Sequence, residues 1–354
     1  MKDIISVHND DWLRYDKSYE GRVGTKLGKI NLGKQAIFKS HRSGWEYTVD
    51  SLRELHNPEG VLFDGFIERK FAWEYDASLK KGDVPYRSPW VGVMHNPPGI
   101  PPWFFSKYSP MAILKRRGFE ESLKNCEGIF TLSVRLKQFL LDEINPDFPI
   151  CNLLHPTETP ENQFTFDKFA NNKQKRIINI GYWLRRLSSI YHLPLDPSSG
   201  YSKVRLLPYK SDNTIRRIDA LRKHEFPEKP SSDLEAYEQN TFDLRRVSDE
   251  LYDELLSKNI VFLDFYDASA SNAVIECIAR ATPVLVNRLP AIEEYLGKEY
   301  PFYFDSLEEA AQKCLDFDLV KRAHEYLKSW HVRDKLSQEY FKKSLEDSQI
   351  YKSL

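Results

Sequence analysis

Short apolar runs alternate along this chain with stretches in which apolar residues recur at helical spacing. Ala36-Ile37-Phe38 is one such run. A turn, His41-Arg42-Ser43-Gly44, follows it, and Trp45, Val49, Leu52 and His56 then recur every three or four positions, which predicts strand followed by helix. Residues 60–63 and 90–94 read as further strands. Residues 128–132 read as another, with Ser133 placed to cap a helix that carries Leu136, Phe139 and Leu140. Residues 149–154 close this first series. The segment before Gly33 holds Gly21, Gly24 and Gly28 without phosphate-loop spacing and reads as loop.

Residues 157–175 are polar, rich in Asn, Glu and Pro, and read as a linker. A second series follows: strands over 176–180 and 203–207, a charged segment to about Asn240, a helix over 251–256 and a strand over 260–263. A helix over 272–281, a strand over 283–286 and further helices complete it. Strands alternating with helices predict an α/β fold with parallel sheets covered on both faces. A length of 354 residues admits two domains, taken here as residues 1–165 and 166–332, with 333–354 as a terminal helix.

Composition narrows the classes. Hydrophobic residues at 41% and charged residues at 29% supply a globular core and exclude wholesale disorder. With 51 basic against 52 acidic residues the chain has no field for gathering polyanions, so nucleic acid is not an expected partner. No run approaches the ~18 apolar residues of a membrane span, and Met1-Lys2-Asp3-Ile4 does not open a signal peptide. Cys126, Cys151, Cys277 and Cys314 are scattered and read as reduced thiols of a cytoplasmic protein rather than a disulfide frame or zinc site. The 7 Trp and 19 Tyr suit stacking on sugar rings, or simply an aromatic core.

The densest chemistry lies between Asp264 and Glu294. An apolar strand ends at Phe265, and the loop Tyr266-Asp267-Ala268-Ser269-Ala270-Ser271 leads into a helix at Asn272. Helix N-termini at the carboxyl ends of parallel strands offer free N–H groups to phosphate, and Ser269, Ser271 and Asn272 would add donors. A plain N-cap is the alternative. Glu276 sits one turn into this otherwise apolar helix, where a carboxylate needs partners. Two adjacent ribose hydroxyls would match it, as would an internal basic residue. At the start of the second series Gly181 ends a strand, and Arg185 and Arg186 follow. They could neutralise a diphosphate or stand exposed in solvent.

The order of these segments resembles the GT-B glycosyltransferases, particularly their large retaining group of nucleotide-sugar-dependent enzymes. The resemblance rests on the stretch from Asn272 through Glu276 to Thr282-Pro283-Val284-Leu285-Val286, on the approach Val247 to Leu256, on Gly128 to Ser133, and on Leu154-His155-Pro156-Thr157. It implies two Rossmann-like domains facing a central cleft, with terminal helices crossing back to the first. It implies a nucleotide-diphosphate sugar as donor, no cofactor, no metal ion, and retention of configuration. Glu276 matches the ribose ligand, Val247 lies near the base contact, and His95 matches a strand-end histidine that reaches the donor sugar. The group carries a second glutamate eight positions before the ribose ligand. Ala268 stands there in this chain, with Asp267 one residue out of register as its substitute. The basic pair also departs, since Tyr182 follows the glycine directly. On the acceptor side, Trp103 lies in a loop stiffened by four prolines after His95, placed either to meet a sugar or lipid-linked acceptor or simply to pack on the domain, and His41, Arg42 and Gly44 at the first strand end could face the same cleft. The acceptor it implies is a glycan or a lipid-linked sugar of polysaccharide biosynthesis, with peripheral membrane association. A degenerate glycan-binding or scaffolding subunit and a sugar-nucleotide epimerase remain open as alternatives.

Overall fold

The computed structural model describes residues 14–19, 28–38, 44–207, 212–225, 240–245 and 247–354. Two parallel sheets carry the chain. The first contains β2 (Ile30–Asn31), β4 (Val61–Asp64), β5 (Trp90–Met94), β6 (Cys126–Thr131) and β7 (Ile150–Asn152), side by side in that order. Every residue of β5 is buried, as expected for a central parallel strand covered on both faces. The helix Val134–Ile144 follows β6, and the Ser133 hydroxyl accepts the Leu136 N–H at its start.

The second sheet contains β8 (Lys175–Ile180), β9 (Tyr201–Leu207), β10 (Thr241–Arg245), β11 (Ile260–Leu263), β12 (Val284–Asn287) and β13 (Tyr303–Phe304), in the order β10-β9-β8-β11-β12-β13. The order reverses between β8 and β11. The connections leaving those two strands therefore part to opposite sides, and the crevice between them is where such sheets bind ligands. Helices Asp249–Leu256 and Asn272–Arg280 flank β11.

Four features differ from the sequence reading. Part of the segment read as loop before Gly33 contains β1 (Arg14–Ser18) and β2, whose low apolar content hides them. The Ala36 run lies in β3 (Lys34–Phe38), which pairs antiparallel with β1 outside the main sheet. Its Gln35 is buried and donates to the Leu32 and Phe63 carbonyls, fastening the strand to β4 without joining the ladder. β10 lies just beyond the charged segment, and its exposed Phe242 and Asp243 mask its pairing with β9. The polar stretch 157–175 is packed rather than loose. Phe164 and Phe169 enter the second core, and the Phe164 N–H donates to the Arg280 carbonyl.

Helices Gln338–Asp347 and Gln349–Ser353 pack against the first sheet: Phe341, Leu345 and Ile350 join the core of Trp45 and Phe130. The Gln338 amide donates to the Tyr47 carbonyl, and Gly128 leaves the room that Ile350 fills. Among the described residues no helix is long and apolar enough to cross a membrane. Ile350 is fully buried, so Ile350→Ala should cost about 2–5 kcal/mol. A urea midpoint unchanged from wild type would mean that these helices do not hold the first sheet.

Candidate active site

The first sheet presents two histidines at its carboxyl edge. His95 follows β5, and its backbone N–H and that of Asn96 both donate to Glu68 Oε1, at 2.6 and 2.8 Å. His95 Nε2 lies 2.8 Å from the Gly65 carbonyl. A carbonyl only accepts, so Nε2 carries the proton and Nδ1 is the bare nitrogen. The ring stacks on Phe66 at 4.0 Å and meets Trp45 edge-on at 4.3 Å. Burial, with a smaller contribution from His155, pulls His95 down to about 3, so it is neutral at physiological pH. His155 follows β7. Its Nδ1 is 2.8 Å from the Pro156 carbonyl and must be the donor, which leaves Nε2 bare. Burial holds His155 down to about 4, against an opposing pull from Glu276 of the second half.

In the second half Gly181 takes a left-handed turn at φ +73° directly after β8. The chain then zips onto the loop after β11: the Arg186 N–H donates to the Asp264 carbonyl and the Tyr266 N–H to the Leu184 carbonyl. Arg185 is thereby laid over the Phe265 ring, 4.5 Å from its centre. Its Nη1 donates to the Trp183 carbonyl, its Nε is buried without a partner, and no carboxylate pairs with it among the described residues. Burial pulls this guanidinium down to about 10. Arg186 points outward, with Nε 3.4 Å from Asp264 and the guanidinium over Tyr266. Asp264 is pushed up to about 6 by burial, although the Ser189 hydroxyl donates to it.

The helix Asn272–Arg280 begins on the same rim. Its N-cap residue, Ser271, makes no capping bond, and the Ser271 hydroxyl is buried without a partner. Asn272 is the first helical residue. Glu276 is buried, and the sequence reading that opens it to a ribose meets a carboxylate already held from inside the domain. The Tyr252 hydroxyl donates to Oε2, and Arg280 Nη1 lies 3.9 Å away while Nη2 binds Asp253 at 2.5 Å. Val247 precedes the helix Asp249–Leu256 and packs against the second core.

The two halves touch across this rim. Asp267, expected beside a transferred sugar, spends Oδ2 on the Gly99 N–H at 2.7 Å and on Arg135 Nη2 at 3.1 Å. A side chain at Gly99 would collide with that carboxylate. The Ser133 and Ser269 hydroxyls are 3.1 Å apart, and Glu294 accepts the Val134 and Arg135 N–H groups at the start of a first-half helix. Trp103 stacks on His224 and meets Tyr266 edge-on, so the proline-rich loop also spans the halves. Gly44 caps the helix Trp45–Asp50, next to the His95 ring. His41 and Arg42 lie outside the described residues. Among the described residues no group of three or more His, Cys, Asp or Glu could hold a metal ion. The single Asp-x-Asp triplet, Asp316-Phe317-Asp318, is occupied in starting a helix that Asp316 caps.

Comparison with solved structures decides the architecture. The apo structure of OtsA is 12% identical and matches 86% of this chain and 76% of its own at a TM-score of 0.56. The fold is GT-B. An α,α-trehalose-phosphate synthase (UDP-forming) from Burkholderia vietnamiensis gives the same coverage and TM-score at 11% identity. TarM from S. aureus, solved with fondaparinux, α-GlcNAc-glycerol and UDP, is 11% identical over 82% of this chain and 55% of its own, at 0.53. No protein-family model and no curated protein matches the sequence. At such identities the likeness is one of fold.

Within this GT-B frame the structure brings Gly181, Arg185, Ser271, Asn272 and Glu276 to one rim, with His95 facing from the first half. Arg186 lies beside it over Tyr266, and Val247 packs on the second core. Sequence reasoning missed Glu68, Tyr252 and His155 as parts of the site. Nothing local marks Glu68, while Tyr252 and His155 stood in quoted segments without a role.

Glu68 gives a test of this geometry. Burial pushes its carboxyl up to about 7. An unfolded chain titrates near ~4.3. Between these values the folded form keeps a proton that the unfolded form has lost. Its contribution is therefore fully present below about pH 4 and is lost as pH rises to about 7, amounting to about 4 kcal/mol at most. Glu68→Gln should lose less stability than wild type between pH 5 and pH 8 in urea melts. Parallel pH profiles for the two proteins would contradict the buried assignment.

Proposed function

We propose that this chain is a glycosyltransferase that takes a sugar from a nucleotide-diphosphate donor held by its second half. The observation that carries the reading is Arg185, a half-buried guanidinium at the switch between β8 and β11 whose Nε is sealed without a partner and which has no carboxylate beside it among the described residues. A diphosphate would supply the missing charge, and Gly181 and the uncapped helix start at Ser271 would supply close backbone approach and free N–H groups.

In this reading the donor's diphosphate lies between Arg185 and the start of the helix Asn272–Arg280. Glu276, its rotamer fixed by Tyr252, lies beside the ribose, and Val247 stands near the base. Neutral His95 orients the sugar. The acceptor, a glycan or a lipid-linked sugar, enters from the first half past Trp103 and the Gly44 turn. Its hydroxyl oxygen bonds to C1 as the bond from C1 to the diphosphate oxygen breaks. The electron pair leaves with the nucleoside diphosphate, and the hydroxyl proton passes to the departing phosphate with retention at C1. Arg185 and the helix start meet the developing negative charge, the role a metal ion fills elsewhere, and no cofactor enters. Polysaccharide assembly on the cytoplasmic face of a membrane is the setting that fits such an acceptor.

A non-catalytic glycan-binding or scaffolding subunit is the second reading. Ala268 and the committed carboxylate of Asp267 favour it. Slow release of nucleoside diphosphate from the donor without acceptor supports the transferase, whereas binding without release supports the scaffold.

Arg185→Met tests the donor site. Titration with UDP, GDP and dTDP should find one that binds wild type, and the variant should bind it at least about tenfold more weakly. Its thermal stability should hold or rise, because an uncompensated charge has been removed. Equal affinity in the two proteins would refute the assignment.

A further inference from the structure

His95 and His155 come from different strands of the first sheet, yet both rings pack on Trp45, at 4.3 and 5.5 Å. Each is locked by a backbone carbonyl in one tautomer, His95 by Gly65 and His155 by Pro156. The locks run in opposite senses, so His95 keeps Nδ1 bare and His155 keeps Nε2 bare. Neither nitrogen has a hydrogen-bond partner among the described residues. Second-half groups close the other side: Ala270 packs against the cluster that holds Trp45, and Tyr295 places its hydroxyl between the Leu132 carbonyl and the His155 N–H. The His155 N–H donation to Tyr295 sets His155 on the seam with the second half.

Two neutral imidazoles with fixed bare nitrogens can only accept. An anion would be repelled by those lone pairs, whereas neighbouring hydroxyls of an uncharged sugar would donate to them. We propose that His155 is a second sugar-binding residue: with His95 it offers a neutral hexose two fixed hydrogen-bond acceptors beside Trp45. This rests on the donor reading above and extends it by naming the class of the transferred group.

The test compares nucleoside diphosphates with their sugar conjugates by calorimetry: UDP with UDP-glucose, GDP with GDP-mannose and dTDP with dTDP-glucose. The proteins are wild type, His155→Phe, which keeps a ring and removes the acceptor, and His155→Gln, which restores an acceptor near the Nε2 position. For the base that binds, wild type should hold the sugar conjugate about 5–10-fold more tightly than the bare diphosphate. His155→Phe should abolish that ratio while leaving the diphosphate affinity unchanged, and His155→Gln should recover part of it. A ratio retained in His155→Phe, or absent from wild type, overturns the proposal while leaving the donor reading intact. Should His155→Phe lose diphosphate binding as well, His155→Gln decides: recovery supports the acceptor role and loss overturns it. A wild type that binds none of the diphosphates removes the donor reading itself.

Discussion

A guanidinium partly withdrawn from water without a carboxylate beside it is costly to the folded state, and among the described residues this fold carries one at its topological switch. Arg185 is placed there by backbone geometry. Gly181 turns the chain at the end of β8, two backbone hydrogen bonds join it to the loop after β11, and the side chain is left over Phe265. The fully buried arginines of the second half are neutralised. Arg280 pairs with Asp253, and Arg205 with Asp243 and Asp219. The contrast gives Arg185 its meaning: the domain supplies carboxylates to the guanidiniums of its core and withholds one at the rim.

The carboxylates around that rim are committed elsewhere. Asp267 and Glu294 join the two halves by accepting backbone N–H groups from the first, and Glu276 is held by Tyr252 and approached by Arg280. The closed arrangement therefore comes from second-half carboxylates answering first-half donors, with Ser133, Ser269 and Tyr295 filling the seam. Arg185 is left without a carboxylate partner among the described residues, so a ligand that answers it must bring its own negative charge. On the opposite wall the neutral histidines make no such demand, and the site divides into a charged end and an uncharged end.

Periodicity made most of the framework legible. Strands such as Trp90–Met94 and Ile260–Leu263 are continuous apolar runs, and the Ser133 cap and the Asn272 helix follow from local chemistry. What stayed hidden depended on partners distant in sequence. β10 looks like a charged surface segment until β9 lies beside it, and the Ala36 run carries no sign that its partner is β1. The same limit governed the site. That Glu276 would be buried among apolar residues could be read locally, but whether a ribose or Tyr252 and Arg280 would answer it could not. Asp267 showed its acidity in the sequence while Gly99, 168 positions away, decided its use.

Phosphate is the group proposed to answer Arg185. A crystal structure of the full chain with its tightest-binding nucleoside diphosphate tests this most directly. Phosphate oxygens are expected within hydrogen-bond distance of the Arg185 guanidinium and of the N–H groups at the start of the Asn272–Arg280 helix. A nucleotide bound elsewhere, with Arg185 still against Phe265 and the Ser271 hydroxyl still sealed, would contradict the proposal.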